Sequence, residues 1–358
     1  MDIYRFHKLA LVPLLQQRQD SLAAVMELSA VEKEQFVNFI RINGLAVMWH
    51  QFLKEQCHAA DFPPKLLKRL ESLSMGVVAT YLIQKHMLEQ VATIFVKESI
   101  VHAVFKGAHI REIIYSQPSV RPSCDIDVLI YPSDMTRAVK ALVDAGFSLE
   151  VKRQNISHEL TLVSRNVSID LHWHILRPGR LRTSLTDEFL SRRHDYGTHI
   201  GFDAETTLFL MLVHPVFTKY ATTSLASLVR FVDLLRWIKQ QEIDWDSLLQ
   251  LLESYGVKTA AWITAVYLQE VTGETLPPAF LGKIQPSGLK QRYLKGWISS
   301  NRAGRLYSHP LLIQLGLTIP AHDSISDAIR FLKTLGKEQK QAQAKMETLY
   351  AAIGRKIS

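Results

Sequence analysis

Cysteine is scarce in this chain: two in 358 residues, Cys57 and Cys124. They are too few and too far apart to frame disulfides or a zinc site. No apolar run reaches the ~18 residues that a spanning helix needs, and the opening Met1-Asp2-Ile3-Tyr4-Arg5-Phe6 lacks the apolar core of a signal peptide. Internal repeats and low-complexity segments are missing too. No Lys/Arg-rich run carries interleaved aromatics, which makes nucleic acid an unlikely partner. Together these absences lead to the expectation of a cytoplasmic, bacterial-type enzyme. The charge balance is basic, 42 Lys+Arg against 34 Asp+Glu for a net +8. That suits a polyanionic ligand such as a nucleotide, and would also suit an anionic membrane surface. With 47% hydrophobic residues, a chain this long buries a real core and divides into two or three units.

The most informative stretch is Ser123-Cys124-Asp125-Ile126-Asp127-Val128-Leu129-Ile130. Strand side chains alternate faces, so Asp125 and Asp127 point one way while Ile126, Val128 and Ile130 point into a core. Residues i and i+2 lie roughly 7 Å apart, close enough to bracket a pair of divalent ions about 3.5–4 Å apart. Like charges side by side are costly unless a cation lies between them. The plain alternative is a strand end where two carboxylates meet water.

Upstream, Ser99 to Phe105 reads as a short strand that breaks at Lys106-Gly107-Ala108 into a helix over His109 to Tyr115. A strand, a glycine turn and a helix start form an anion-binding corner, with Lys106 and Arg111 adding positive charge. The same turn can also serve packing alone. Downstream, Ser133 is placed to cap a helix over Met135 to Ala145 that Gly146 ends, followed by a strand over Phe147 to Lys152. Glu159 to Val163, a turn at Ser164-Arg165-Asn166, and Val167 to Ile175 read as a hairpin. Its second strand puts Ile169, Leu171, Trp173 and Ile175 on one face and Asp170, His172 and His174 on the other. A third acid thus emerges from a neighbouring strand.

Lys106-Gly107-Ala108, Arg121-Pro122 ahead of Asp125-Ile126-Asp127, and Ile169-Asp170-Leu171-His172-Trp173 resemble the uncharacterised bacterial nucleotidyltransferases of the DNA polymerase β superfamily. The similarity runs from about Val101 to Pro277, including Phe231-Val232-Asp233-Leu234-Leu235. It implies an α+β fold, a small mixed sheet with helices, flanked by N- and C-terminal helical regions. It also implies a nucleotide-binding turn at Gly107 and a metal triad of Asp125, Asp127 and Asp170. The superfamily usually carries Gly-Gly or Gly-Ser in the turn; here Ala108 lacks the hydroxyl, and the gap from Gly107 to Asp125 is long.

The expected chemistry follows. Asp125 and Asp127 hold Mg²⁺ against a nucleoside triphosphate, ATP included. Asp170 completes a second metal position and helps activate an acceptor hydroxyl. An all-carboxylate triad favours hard cations over zinc. Lys106, Gly107, Ala108, Arg111 and Arg121 are the candidates for holding nucleotide, the arginines offering bidentate geometry; each cation could equally be surface charge. Alternating His172 and His174 raise a rival zinc or iron site, but the other histidines show no ligand spacing. His172 therefore reads as a partner of the carboxylates and His174 as a rim residue.

The organisation expected is a helical region over 1–98, a nucleotidyltransferase core over 99–202, a helical domain over 203–276 and a C-terminal helical region with basic tail over 277–358. Helices are expected within Leu9 to Leu15, Glu32 to Lys54 and Leu66 to Lys97. Leu208 to Phe217 is apolar all round and hence buried, with Pro215 kinking or ending it. Asp233 sits between Arg230 and Arg236, either as an intrahelical ion pair or as a contact supporting the site. Trp245 to Tyr255 and Lys258 to Gly273 add helices before Pro277-Pro278. The tail from Lys333 (Lys337, Lys340, Lys345, Arg355, Lys356) reads as a solvated helix, with a weak membrane-surface role as the alternative. The reading that results is transfer of a nucleoside monophosphate to a hydroxyl of a small molecule, sugar or protein. Its alternatives are a catalytically weak nucleotide-binding regulator and a toxin–antitoxin type component.

Overall fold

The computed structural model describes residues 4–16, 19–55, 62–150, 158–222 and 227–334. Among the described residues seven strands form one mixed sheet: β1 (His102–Phe105), β2 (Asp125–Ile130), β3 (Ser148–Glu150), β4 (Glu159–Ser164), β5 (Val167–His172), β6 (Arg193–Asp195) and β7 (Ile200–Phe202). Their order is β3-β4-β5-β2-β1-β7-β6. β2 runs parallel to β5 and β1 parallel to β7, and the remaining pairs are antiparallel. The α+β class expected from the sequence is the one adopted.

Alternation along the central strands decides what each face does. Ile126, Val128 and Ile130 of β2 join Ile169 and Leu171 of β5 on one face. That face packs on Met87, Leu88, Val91 and Phe95 of the long helix Pro64–Lys97 and on Ala138, Val139 and Leu142 of the helix Met135–Asp144. The opposite face sends Ala103, Phe105, Leu129 and Phe202 into the larger core shared with the apolar helix Ala204–Lys219. Asp125 and Asp127 have the parity of Leu129, so they stand on this second face.

Several local readings change. The expected helix over Glu32 to Lys54 is two helices, Ala30–Ile42 and Ala46–Glu55. Gly44 at φ +73° turns the chain between them, and Ser29 with Glu32 forms a capping box on the first. Ser133 lies within a 3₁₀ turn, Pro132–Asp134, and does not cap the following helix. The end of that helix is as expected: Gly146 has φ +94°, with Gly146 N–H on Val143 O and Phe147 N–H on Leu142 O. The helix at 204 starts on Asp203, whose carboxylate accepts from Thr206 N–H at 2.8 Å. It passes through Pro215 and ends at Lys219. β5 stops at His172, short of Ile175, because β4 begins at Glu159. Beyond it, Trp173 and His174 both turn their N–H groups onto the His158 carbonyl. β6 and β7 come from 193–202, where no strand is expected. The strand end past Glu150, Cys57 and the tail beyond Thr334 lie outside the described residues, while Cys124 is a free, exposed thiol. Among the described residues no helix is long and apolar enough to cross a membrane.

The β4–β5 hairpin turns on Arg165 (φ 49°) and Asn166 (φ 62°). Two successive left-handed residues make the turn that matches strand twist, and this one does so without glycine. Left-handed backbone strains a residue such as arginine. Replacing the pair by Asn-Gly (Arg165→Asn with Asn166→Gly) therefore stabilises the protein by about 1 kcal/mol. Chemical denaturation measures the gain, and an unchanged midpoint contradicts it.

Candidate active site

Strand register assembles the site. In the parallel β2–β5 pair Asp127 stands beside Asp170, and in the antiparallel β1–β2 pair Phe105 stands beside Asp127. Lys106, the next residue, emerges next to Asp127, and its Nζ donates to Asp127 Oδ1 at 2.6 Å. His172 Nε2 reaches the same oxygen at 2.8 Å. On β4, Glu159 stands opposite His172 and Thr161 opposite Asp170. Glu159 Oε2 lies 3.2 Å from His172 Nδ1, and Thr161 Oγ1 donates to Asp170 Oδ1 at 2.7 Å.

Charge explains the pairing. Burial alone would raise the Asp127 carboxyl, but Lys106 and His172 outweigh it and hold it well below the usual carboxylate range. Lys106 likewise loses by burial and gains more from Asp127, so its ammonium is held charged. Asp125 has no such partner. Burial, followed by the like charge of Asp127, pushes it up to about 6. One ligating atom each from Asp127, Asp170 and His172 lies within 4.8 Å of the other two, and Asp125 is outside that grouping.

The turn before the acids is built differently from a glycine loop. Lys106 itself takes the left-handed backbone (φ 55°) and is already the first residue of the helix Lys106–Ile114. Gly107 is required for room: a Cβ there would collide with the Arg121 guanidinium and Ser123 Oγ. Ala108 is buried against the sheet with Ile126 and Val128. Arg121 lies over the helix start, gripped by Asp233 through Nη2 (2.7 Å) and Nε (3.2 Å), with Nη1 on Pro122 O at 2.8 Å. Tyr115 donates to the other Asp233 oxygen at 2.7 Å. Asp233 thus pairs across 112 residues with Arg121 and not within its own helix. Arg111 is not brought to the acids. It is buried, bonded to Gln84 Oε1 at 2.6 Å and stacked on Tyr81.

His174 lies past the end of β5, its Nδ1 3.2 Å from Ser184 Oγ. It lines a cavity of about 230 Å³ with Arg177, Arg182 and Arg330. Glu159 and Thr161 are the residues that sequence reasoning missed. His214 also escaped it: half-buried on the helix Ala204–Lys219, it feels Lys106 and Asp127, and burial followed by Lys106 keeps its imidazole well below its ordinary value.

Residues 29–273, spanning this sheet and its surrounding helices, match a family described as uncharacterised nucleotidyltransferases. The chain belongs to that family. No curated protein matches it. Within the nucleotidyltransferase family, membership and an acidic cluster able to hold a metal ion together fit nucleotidyl transfer.

The strain on Asp125 sets a pH signature. Folded, it keeps its proton up to about pH 6; unfolded, it loses it near pH 4. Stability therefore falls as pH rises through that window, and the penalty is complete above it. Asp125→Asn removes the penalty. At pH 8 without divalent cations the variant is more stable than wild type by about 2 kcal/mol, a gain that vanishes below about pH 4. Thermal melts across pH read this, and a pH-independent difference refutes it.

Proposed function

We propose that this nucleotidyltransferase uses Mg²⁺ to transfer a nucleoside monophosphate from a nucleoside triphosphate to the hydroxyl of a small-molecule, sugar or protein acceptor. One observation carries the reading. Asp127 and Asp170 stand in register on parallel strands, each with Oδ1 held by a donor and Oδ2 without one among the described residues. Two oxygens freed in this way, with Asp125 on the same face, suit a hard divalent cation. Cation binding also relieves the repulsion that raises Asp125.

Asp127, Asp170 and Asp125 are the residues that would hold the metal. When bound, it neutralises charge on the α-phosphorus and on the departing pyrophosphate. The chain's own groups do the positioning. Lys106 brings an ammonium to the edge of the acids, within reach of a polyphosphate. Arg121 is held rigid by Asp233 over the helix start at Gly107, where backbone N–H groups and the helix dipole favour anions. The hydroxyl absent at Ala108 has a counterpart in Ser123 Oγ, which lies against Gly107 from the other side of the turn. Asp170, anchored by Thr161, faces the acceptor hydroxyl and assists its deprotonation.

Incubation with Mg²⁺ and each labelled triphosphate, with and without cell extract, tests the reading through pyrophosphate release. Asp170→Asn and Asp127→Asn lower the rate at least about 10²–10³-fold, and undiminished release in either variant refutes the mechanism. Arg121→Lys loses the bidentate fork and raises KM for the triphosphate about tenfold with little change in kcat. Nucleotide binding without any release by the wild-type protein makes the chain a regulator instead.

A further inference from the structure

The long helix Pro64–Lys97 buries side chains near its two ends, Leu66 and Leu70 at one and Gln84, Met87, Leu88, Val91 and Phe95 toward the other. None of the residues between Leu70 and Gln84 is buried. The outer side of that stretch is apolar. Met75 and Leu82 are 65% and 59% exposed, and Val78, Ala79 and Ile83 are exposed beside them. From Ser72 to Gln84 the chain carries no charge, although a helix face that meets water is normally charged. Met75, Val78 and Leu82 follow at spacings of four and three. The same alternation continues to Glu71 and Lys68 on one side and to Lys85 and Glu89 on the other, all of them exposed. This is the seam along which a second helix lies.

We infer that two copies of this chain pair through the outer face of this helix, antiparallel and centred on Val78. The order of charge selects that partner. Along the seam it runs Lys68, Glu71, three apolar residues, Lys85, Glu89. In an antiparallel copy Val78 meets its own counterpart and Met75 meets Leu82 of the second copy. Glu71 then lies by Lys85 of the second copy, and Lys68 by its Glu89, twice over by symmetry. A parallel copy would set like charge on like. The acids at both ends also make the stripe a poor match for an anionic lipid surface, which attracts basic flanks. Gly76 supports a close approach. A Cβ there would meet nothing within 4 Å, so no contact inside the chain calls for a glycine in mid-helix, where it weakens the helix. A second backbone passing close does. The contact lies behind the candidate site and not across it: from the inner face Gln84 donates to Ser123 O at 2.9 Å and accepts from Arg111 at 2.6 Å. A single helix pair is a small interface, so the association is weak and concentration-dependent.

Sedimentation velocity of the full chain over a concentration series tests this, with thermal melts to confirm that each variant is folded. The wild-type protein shifts from monomer to dimer as concentration rises. Leu82→Glu buries an unpaired carboxylate at two symmetry-related places and raises the dissociation constant about 100-fold. At low salt Glu71→Lys sets lysine against Lys85 at both ends and raises it about tenfold. Glu71→Lys combined with Lys85→Glu restores the opposite charges and brings the constant back to within about threefold of wild type. These four side chains are exposed, so the swap decides the question even if Leu82→Glu fails to fold. A monomer at every concentration overturns the inference, and with it any second copy on this face, leaving the stripe to another occupant. A dimer indifferent to Leu82→Glu overturns it as well. A dimer that Leu82→Glu abolishes but Glu71→Lys leaves unchanged is not antiparallel about Val78, and that too refutes the arrangement.

Discussion

One charge balance sustains the centre of this molecule: a carboxylate, Asp127, buried between an ammonium and an imidazole. Removing an ionised carboxylate from water costs several kcal/mol unless partners replace the lost hydration. Lys106, the residue just past the end of β1, and His172, the last residue of β5, replace it, and β1 and β5 are the two neighbours of β2. The sheet order is thus part of the electrostatics. With β1 on one side and β5 on the other, Asp127 is flanked by hydrogen-bond partners on both sides, while Asp125, one pleat nearer the strand end, is left to burial and the like charge of Asp127. The same arrangement compensates one acid and leaves its neighbour in need of a cation.

The helical part of the chain is tied to this centre by Asp233. Its carboxylate takes Arg121 and the Tyr115 hydroxyl from the core, and Arg236, one turn along, stacks on the Tyr115 ring at 4.6 Å. Charge-assisted, bidentate contacts of this kind fix orientation as well as energy. Arg121 is thereby a rigid group, and Gly107 is small because that rigid group lies on it. A glycine that reads as conformational freedom is here a matter of space.

The sequence made the acids legible because strand parity is local: Asp125, Asp127 and Asp170 each sit in an apolar alternation that fixes which face they take. The amphipathic and all-apolar helices, such as Trp245–Tyr255 and Ala204–Lys219, were legible for a similar reason. The short strands at 193–202 were not, since three residues give no period to read. Arg111 misled because charge near a motif says nothing about which helix will bury it; Gln84 and Tyr81 are remote in sequence. Asp233 is a similar case, with close arginines in sequence and a distant one in space. Glu159 and Thr161 could have been found. A two-residue turn at Arg165-Asn166 fixes the hairpin register, and from it Glu159 must face His172 and Thr161 must face Asp170.

The parallel alignment of β2 with β5 has a consequence for folding itself. It is the one long-range alignment on which the Asp127–Asp170 pairing hangs, since Glu159, Thr161, Asp170 and His172 arrive together on a single hairpin. A slip of one residue would rotate Asp170 inward among Ile126 and Val128 and drive Ile169 out toward water. An ionised carboxylate stranded in that layer forfeits several kcal/mol out of a typical total stability of about 5–15 kcal/mol. The acids therefore proofread the sheet: the slipped register is the less stable one whether or not a ligand is present.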